Sequence, residues 1–383
     1  MVRRNTLVWA RSRGGSLKMP LAQRGDQSNE AIRGPIIFQT ATESKLRQVS
    51  KHATVIDNYG SLLEELFKVD HPQLIGHPEY REKLEAFLEK EGSQNPSAGR
   101  WVFFPWRNTL IHVLSEANYF KVRTARNREL ITHKEQKKFR DSRVGIAGLS
   151  VGNGVGAVLT MTGGPKFMKL ADPDTLDLSN LNRLRGSIAY LGKGKAEMMA
   201  HQLWELDPDV NLELWENGLT DEGLKDFILK PRVDVLIDEM DDLRLKILLR
   251  VEAKKAKVPV IMATDNDDGV LLDIERFDLE PDRPILHGLI DDIDYLNLPN
   301  PLSLEDKVKL SSSIVGKEHI SERMMHSLRE IGNSIPTWPQ LGTAAVMSSA
   351  VAAYAVRQAL VGHAMPSQRV LLTPNKALDT EPN

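Results

Sequence analysis

Asp172-Pro-Asp-Thr-Leu-Asp-Leu-Ser-Asn-Leu-Asn-Arg183 decides the reading of this chain. It follows the apolar run Phe167-Met-Lys-Leu-Ala171 and lies downstream of a glycine-rich turn, Gly148-Leu-Ser-Val-Gly-Asn-Gly-Val-Gly156. An acid at a strand end, about 20 residues past a glycine turn, is how a Rossmann-like unit holds a ribose. Asn180 and Arg183 follow in the next turn, and Lys195 closes a Gly-Lys-Gly-Lys run. These extra groups point to a nucleotide with a triphosphate, and so to ATP rather than NAD.

Outward from this block, strands and helices alternate. Arg143–Ala147, Phe167–Ala171, Asn211–Trp215, Val233–Asp238 and Val258–Ala263 read as strands. Val155–Thr162, Lys195–Leu206 and Leu243–Lys257 read as helices between them. Gly163-Gly-Pro165 ends the first helix by C-cap chemistry. The pattern predicts an α/β fold with a largely parallel sheet flanked by helices. Asp291–Lys309 is acidic and interrupted by proline, which predicts a long crossover loop. His319–Ile331 reads as a short helix, Leu341–Gly362 as a buried Ala-rich helix and Val370–Thr373 as a last strand. Upstream, Pro35–Gln39 and Trp101–Phe104 read as strands, with helices over Tyr59–Val69 and Tyr80–Glu91 and a turn-rich linker over Gly92–Gly99. The domain division is a basic tail over 1–30, a small α/β region over 31–120, a nucleotide-binding domain over 121–374 and a frayed end over 375–383.

The bulk numbers exclude several classes. A net charge of −2 gives no electrostatic footprint for nucleic acid or a membrane surface. The sequence contains 0 cysteines, which removes disulfides, thiolate zinc sites and any thioester on this chain and fits a cytoplasmic protein. Arg3, Arg4, Arg11, Arg13, Lys18 and Arg24 stand in an N-terminal stretch without acids or an apolar signal core, which reads as a solvated tail or an Arg-rich targeting segment.

Each candidate residue has a chemical role and a plainer one. Gly148, Ser150 and Gly152 sit where backbone N–H groups at a helix start hold an anion, or where a strand simply turns into a helix. Asp172 accepts ribose hydroxyls or serves as a turn carboxylate. Arg183 forks onto phosphate oxygens and Lys195 adds a point charge, unless each is only a surface cation. In Ile237-Asp-Glu-Met-Asp-Asp242, Asp241 is the candidate Mg²⁺ ligand, with Asp238 and Asp242 as alternatives. The run Arg123-Thr-Ala-Arg-Asn-Arg128 is a solvated face or an arginine finger.

With these residues in view, the chain resembles the ThiF/MoeB/ubiquitin-activating E1-like adenylyltransferase family, over roughly Arg123 to Gly362. The block at 172–183 is similar to the family's D-x-D-x-V-x-x-S-N-L-x-R-Q. The resemblance implies a Rossmann-like adenylation fold, with Asp172, Asn180 and Arg183 as nucleotide residues. It implies that Lys195 is the G-x-x-K lysine and that Asp241 is the Mg²⁺ and phosphate residue of D-x-x-D-N. Arg128 would be the arginine lent across a homodimer. Pro339-Gln-Leu-Gly342 resembles the C-terminal P-x-x-G. The Pro105-Trp-Arg107 and Arg123–Arg128 elements resemble a bacterial subgroup with an added N-terminal region.

Three departures stand out: Ser150 for a glycine, Glu129 for a glutamine, and the missing cysteines. The implied activity is attack of a carboxylate on Mg·ATP to give an acyl-adenylate. The carboxylate would belong to a peptide, a small carrier protein or a small acid, and a redox or sulfur-transfer partner would serve the second step. Two other readings stay open at this point. An NAD(P)-dependent oxidoreductase explains the glycine turn and Asp172. A non-catalytic E1-like partner-binding subunit explains the missing cysteines.

Overall fold

Short apolar runs between turns become the strands of two sheets. The computed structural model describes residues 34–39, 44–93, 99–290, 298–316 and 319–378. The first sheet holds β1 (Ile36–Phe38), β2 (Thr54–Asp57), β3 (Arg100–Phe104) and β4 (Thr109–Val113) in the order β1-β3-β4-β2. β3 and β4 are antiparallel, and β2 runs parallel to β4. Helices α1 (Ser44–Ser50), α2 (Tyr59–Asp70) and α3 (Tyr80–Leu88) accompany it. Leu46 of α1 packs with Phe38 and Leu110, and Leu63 and Leu66 of α2 pack with Leu114.

Two helices, α4 (Glu116–Arg123) and α5 (His133–Arg140), lead into the second sheet. Thr132 and Glu135 form a reciprocal capping box that fixes where α5 starts. The core strands of this sheet are β5 (Arg143–Ala147), β6 (Phe167–Ala171), β7 (Asn211–Trp215), β8 (Val235–Asp238) and β9 (Val260–Asn266). They run parallel in the order β7-β6-β5-β8-β9. β10 (Gly269–Glu275) and β11 (Gln368–Leu372) extend the β9 edge antiparallel. β8 and β10 are buried throughout, so they show no polar alternation along the chain.

Helices α6 (Val151–Met161), α7 (Lys195–Leu206), α8 (Leu224–Leu229), α9 (Leu243–Ala256), α10 (Leu304–Val315), α11 (Glu322–Arg329) and α12 (Gly342–Val361) complete the second layer set. One core cluster joins Phe227 of α8, Ile247 and Leu249 of α9, Leu236 of β8 and Leu310 and Ile314 of α10. By length and composition α12 meets the requirement for a membrane span, yet 56% of its apolar window is buried inside the fold. It packs on α6 and on β9. A Cβ at Gly154 would lie 2.1 Å from Ser349 Oγ, so a small residue is required at that crossing. Buried Ser348, Ser349 and Gln358 line the same helix.

Several sequence expectations are corrected here. α6 begins at Val151 rather than Val155, which draws Gly152 into the helix. Helix α10 occupies part of the stretch expected to be a loop. Ser303 caps it by accepting the Asp306 N–H at 3.1 Å, and Leu310 and Ile314 anchor its inner face. β2, β4 and β10 had no counterpart in the periodicity reading. The expected tail over 1–30 lies outside the described residues, as do 94–98 of the linker, 291–297 of the crossover and 379–383 of the end.

The two sheets meet at the C-terminal end of α7. Arg100 on β3 forks onto Asp209, with both N···O distances 2.5 Å. Asp207 receives Arg123 at 2.9 Å and Arg140 at 2.6 Å. Glu205 accepts from Trp106 Nε1 at 2.6 Å and Arg107 Nε at 2.8 Å. Trp106 stacks on His201, with ring centroids 4.1 Å apart. Cations gathered at a helix C-terminus complement its dipole.

Candidate active site

In the order β7-β6-β5-β8-β9, the winding reverses between β5 and β8, and ligands of open α/β sheets bind in the crevice at that point. The strand ends there are stitched by backbone bonds. Gly148 N–H donates to Ala171 O at 2.9 Å, and Glu239 N–H donates to Ala147 O at 2.7 Å. Gly148 has φ +86°, and a Cβ there would lie 2.3 Å from the Glu239 carbonyl carbon and oxygen. The glycine admits both the left-handed turn and the close approach of the β8 end. Gly152, now inside α6, would place a Cβ 2.8 Å from Ile146 Cγ2, so it serves helix–strand packing.

Asp172 is 5% exposed. Its Oδ2 accepts the Leu149 N–H at 2.7 Å, and its Oδ1 accepts the Asp174 N–H at 2.8 Å. Burial holds this carboxyl above the ordinary aspartate value, while Lys195 and the two N–H donors pull the other way. The Gly-Lys-Gly-Lys run folds back along the 172–176 segment through Gly192 N–H to Leu176 O and Lys195 N–H to Asp174 O, each 2.9 Å. That return places Lys195 Nζ 2.7 Å from Asp174 Oδ2 and 3.8 Å from Asp172 Oδ1. Asn180 Oδ1 accepts the Asp177 N–H at 3.0 Å and so closes the short turn that presents Arg183.

Arg183 Nη1 donates to Asn182 Oδ1 at 2.9 Å and to Ser179 O at 3.3 Å. Among the described residues its Nε is buried without a hydrogen-bond partner, as is Ser150 Oγ. Burial lowers the Arg183 guanidinium, and Asp241 and Asp265 oppose that. Arg183 and Ser150 line a cavity of about 500 Å³ together with Glu239, Asp241, Asp265 and Lys307.

The structure separates the acids of 238–242. Asp238 is fully buried against Lys246 at 3.1 Å and against Arg250. Burial pushes its carboxyl up, and the two cations overcompensate, leaving it below the usual range. Arg250 also reaches Glu275 at 2.5 Å, and Glu275 accepts the Leu286 N–H at 2.6 Å. Asp242 caps α9 by accepting the Leu245 N–H at 2.9 Å. Asp241 remains exposed on the cavity wall. Burial raises the Glu239 carboxyl well above its ordinary value, against the pull of Lys246 and of the Ala263 N–H.

The sequence-derived candidates therefore form two groups. Ser150, Arg183 and Asp241 share the cavity. Asp172 and Lys195 pair beside it, Gly148 and Asn180 shape the turns that connect the two, and Gly152 packs α6 on β5. Arg128 stands apart, exposed on the turn after α4, with Nη1 3.5 Å from Val69 O. Glu239, Asp265 and the α10 contribution were not anticipated. Glu239 had one available signal, a second acid following Asp238 at a strand end.

A family model described as the ThiF family matches residues 124–367. The chain belongs to the ThiF family. A protein of Mycobacterium tuberculosis (strain CDC 1551 / Oshkosh) called "Uncharacterized protein MT1398" is 38% identical over 282 residues, covering 74% of this chain and 39% of that protein. The sulfur carrier protein ThiS adenylyltransferase of Escherichia coli (strain K12) is 33% identical over 131 residues, covering 34% of this chain and 51% of that enzyme. The chain thus spans about half or less of these two relatives. Among solved structures, Escherichia coli tRNA N6-threonylcarbamoyladenosine dehydratase, TcdA, in complex with ATP is 16% identical with a TM-score of 0.47, covering 70% of this chain and 99% of that one.

Proposed function

We propose that the chain is an ATP-dependent adenylyltransferase that activates a carboxylate as its acyl-adenylate. The observation carrying this reading is that Arg183, whose buried Nε is unsatisfied among the described residues, shares one cavity with Asp241 at the switch point of the sheet. A substrate carboxylate oxygen attacks the α-phosphorus of ATP. The bond from that phosphorus to the bridging oxygen of the β-phosphate breaks, and pyrophosphate leaves. No general base is required, because a carboxylate is ionised near neutral pH.

Asp172 accepts the ribose hydroxyls, Gly148 and Ser150 shape the turn beside the phosphates, and Gly152 seats the first turn of α6 on β5. Arg183 and Lys195 stabilise charge that develops on the phosphate oxygens. Asp241 would hold Mg²⁺, an ion that commonly takes one or two carboxylates together with phosphate oxygens. Among the described residues no group of three His, Asp or Glu forms a protein cage for a metal. Bound Mg²⁺ would supply electrostatic stabilisation of the leaving phosphates. Arg128 is assigned to the site of a second copy in a homodimer. The carboxylate belongs to a small carrier protein, a peptide or a small acid. With no cysteine in the sequence, the acyl group passes to an amine, thiol or sulfur donor on another molecule.

ATP–pyrophosphate exchange with a panel of acids and β-grasp carrier proteins tests this. Arg183→Ala and Asp241→Ala each lower exchange about 100-fold. ATP binding without exchange, indifferent to both substitutions, would favour a partner-binding subunit. Nicotinamide absorbance changes without exchange would favour an oxidoreductase.

A further inference from the structure

Lys195 enters the reaction just described already engaged. It is the first residue of α7 and is 7% exposed. A cation at that end of a helix opposes the helix dipole, and burial adds to the cost, so the ammonium needs an acid. Two acids are at hand, and they differ. Asp172 stands 3.8 Å away, but each of its oxygens already accepts a backbone N–H, from Leu149 and from Asp174. Asp174 makes the direct bond, Nζ to Oδ2 at 2.7 Å, with a side chain that is 63% exposed. Its backbone is fixed separately: the N–H donates to Asp172, and the carbonyl accepts the Lys195 N–H at 2.9 Å. The carboxylate can therefore turn into water without disturbing the segment that carries it.

An ammonium has three donors, and one could serve Asp174 while another serves a phosphate. Charge decides against that arrangement. Two acceptors on one ammonium stand about 4–5 Å apart, and a carboxylate and a phosphate oxygen at that distance repel each other. The repulsion grows with the charge on the phosphates. Of the two anions, the carboxylate is the one that water takes back readily, because its side chain is already largely exposed.

We propose that Asp174 is a displaceable counter-ion: it holds Lys195 in the absence of nucleotide, yields it to the incoming phosphates and takes it back as pyrophosphate leaves. This rests on the adenylation reading and adds a positioning residue to it, since Asp174 touches no reacting atom. The exchange lowers ground-state affinity for the phosphates, which keeps the triphosphate and the leaving pyrophosphate from being held too tightly for turnover. A ligand without phosphate does not call on Lys195 and is indifferent to Asp174.

The test titrates Mg·ATP, AMP and adenosine by calorimetry into the full chain and into Asp174→Asn, Lys195→Ala and the double variant. The amide of Asp174→Asn keeps an oxygen for Lys195 Nζ and leaves both backbone bonds intact, so it removes the charge and little else. Asp174→Asn should bind Mg·ATP about 3- to 10-fold tighter and AMP by a smaller factor, with adenosine unchanged. In the Lys195→Ala background the same substitution should shift Mg·ATP affinity by less than about 2-fold. Weaker or unchanged Mg·ATP binding in Asp174→Asn overturns the exchange and leaves the adenylation reading standing. A gain of equal size for adenosine, or one that persists without Lys195, does the same. A parent chain that binds none of the three ligands overturns the adenylation reading and the exchange together.

Discussion

Replacing Gly148 with alanine tests whether the glycine turn is set by backbone contact. At φ +86° an alanine carries left-handed strain of about 1–2 kcal/mol. Its Cβ would lie 2.3 Å from both C and O of Glu239 and 2.7 Å from Met240 N, whereas ordinary contact begins at 3.4 Å. The shortfall of 1.1 Å (3.4 − 2.3) is against backbone on a buried strand end, which no rotamer change relieves. Overpacking of this kind costs about 1–3 kcal/mol more. Gly148→Ala should therefore lose about 2–5 kcal/mol in total. Gly192→Ala is the matched control: its φ is +78°, but nothing lies within 4 Å of the added Cβ. It should lose only the strain, about 1–2 kcal/mol. Urea unfolding of the three proteins, analysed by midpoint and slope, measures both. Calorimetric titration with Mg·ATP adds a second readout, since only Gly148→Ala displaces the backbone that leads to Asp241. Equal losses in the two variants would refute the close-approach argument.

Arg250→Met should cost about 3–5 kcal/mol in urea, because it leaves Asp238 and Glu275 buried without their shared cation. Asp172→Asn should cost about 1–3 kcal/mol in the same assay, because an amide NH₂ replaces an acceptor for Leu149 or Asp174. His201, buried between Trp106, Tyr190 and Trp204, has its pKa lowered from 6.5 to about 4, mainly by burial, with Arg107 and Lys193 adding to the depression and Glu205 opposing it. Below pH 6.5 the unfolded chain takes up the His201 proton first, so this contribution to stability is complete above 6.5 and is lost as pH falls toward 4. In His201→Phe, stability measured from pH 7 down to pH 4 should fall less steeply than in the parent protein.

The parallel strands were legible because each is a short apolar run ended by a turn. β10 was not, because Asp273 and Glu275 interrupt its apolar run although both are buried in the sheet. β2 was hidden for the opposite reason: all four residues are exposed, and pairing with β4 rather than an apolar face makes it a strand. Helix α10 was obscured by the acids and prolines before it, although Ser303 offered a capping signal. At the site, residue types and spacing were enough to nominate Arg183, Asp172 and Lys195. They were not enough to show that Asp172 binds the glycine turn itself, since that bond joins residues 23 apart. The sorting of Asp238, Asp241 and Asp242 also needed coordinates. Only the direction of each side chain shows which acid meets Arg250, which caps α9 and which stays open.

Helix α7 begins at Lys195, held by Asp174, and its far end is held through Glu205, Asp207 and Asp209. Its 12 residues span about 18 Å, and each residue turns the helix by about 100°. Adding or deleting one residue inside it would rotate the lysine out of line with Asp174 or unseat the arginines at the other end. Substitutions on its outer face leave that phase intact. The helix is thus a ruler: its composition can drift, but its length couples the first sheet to the lysine.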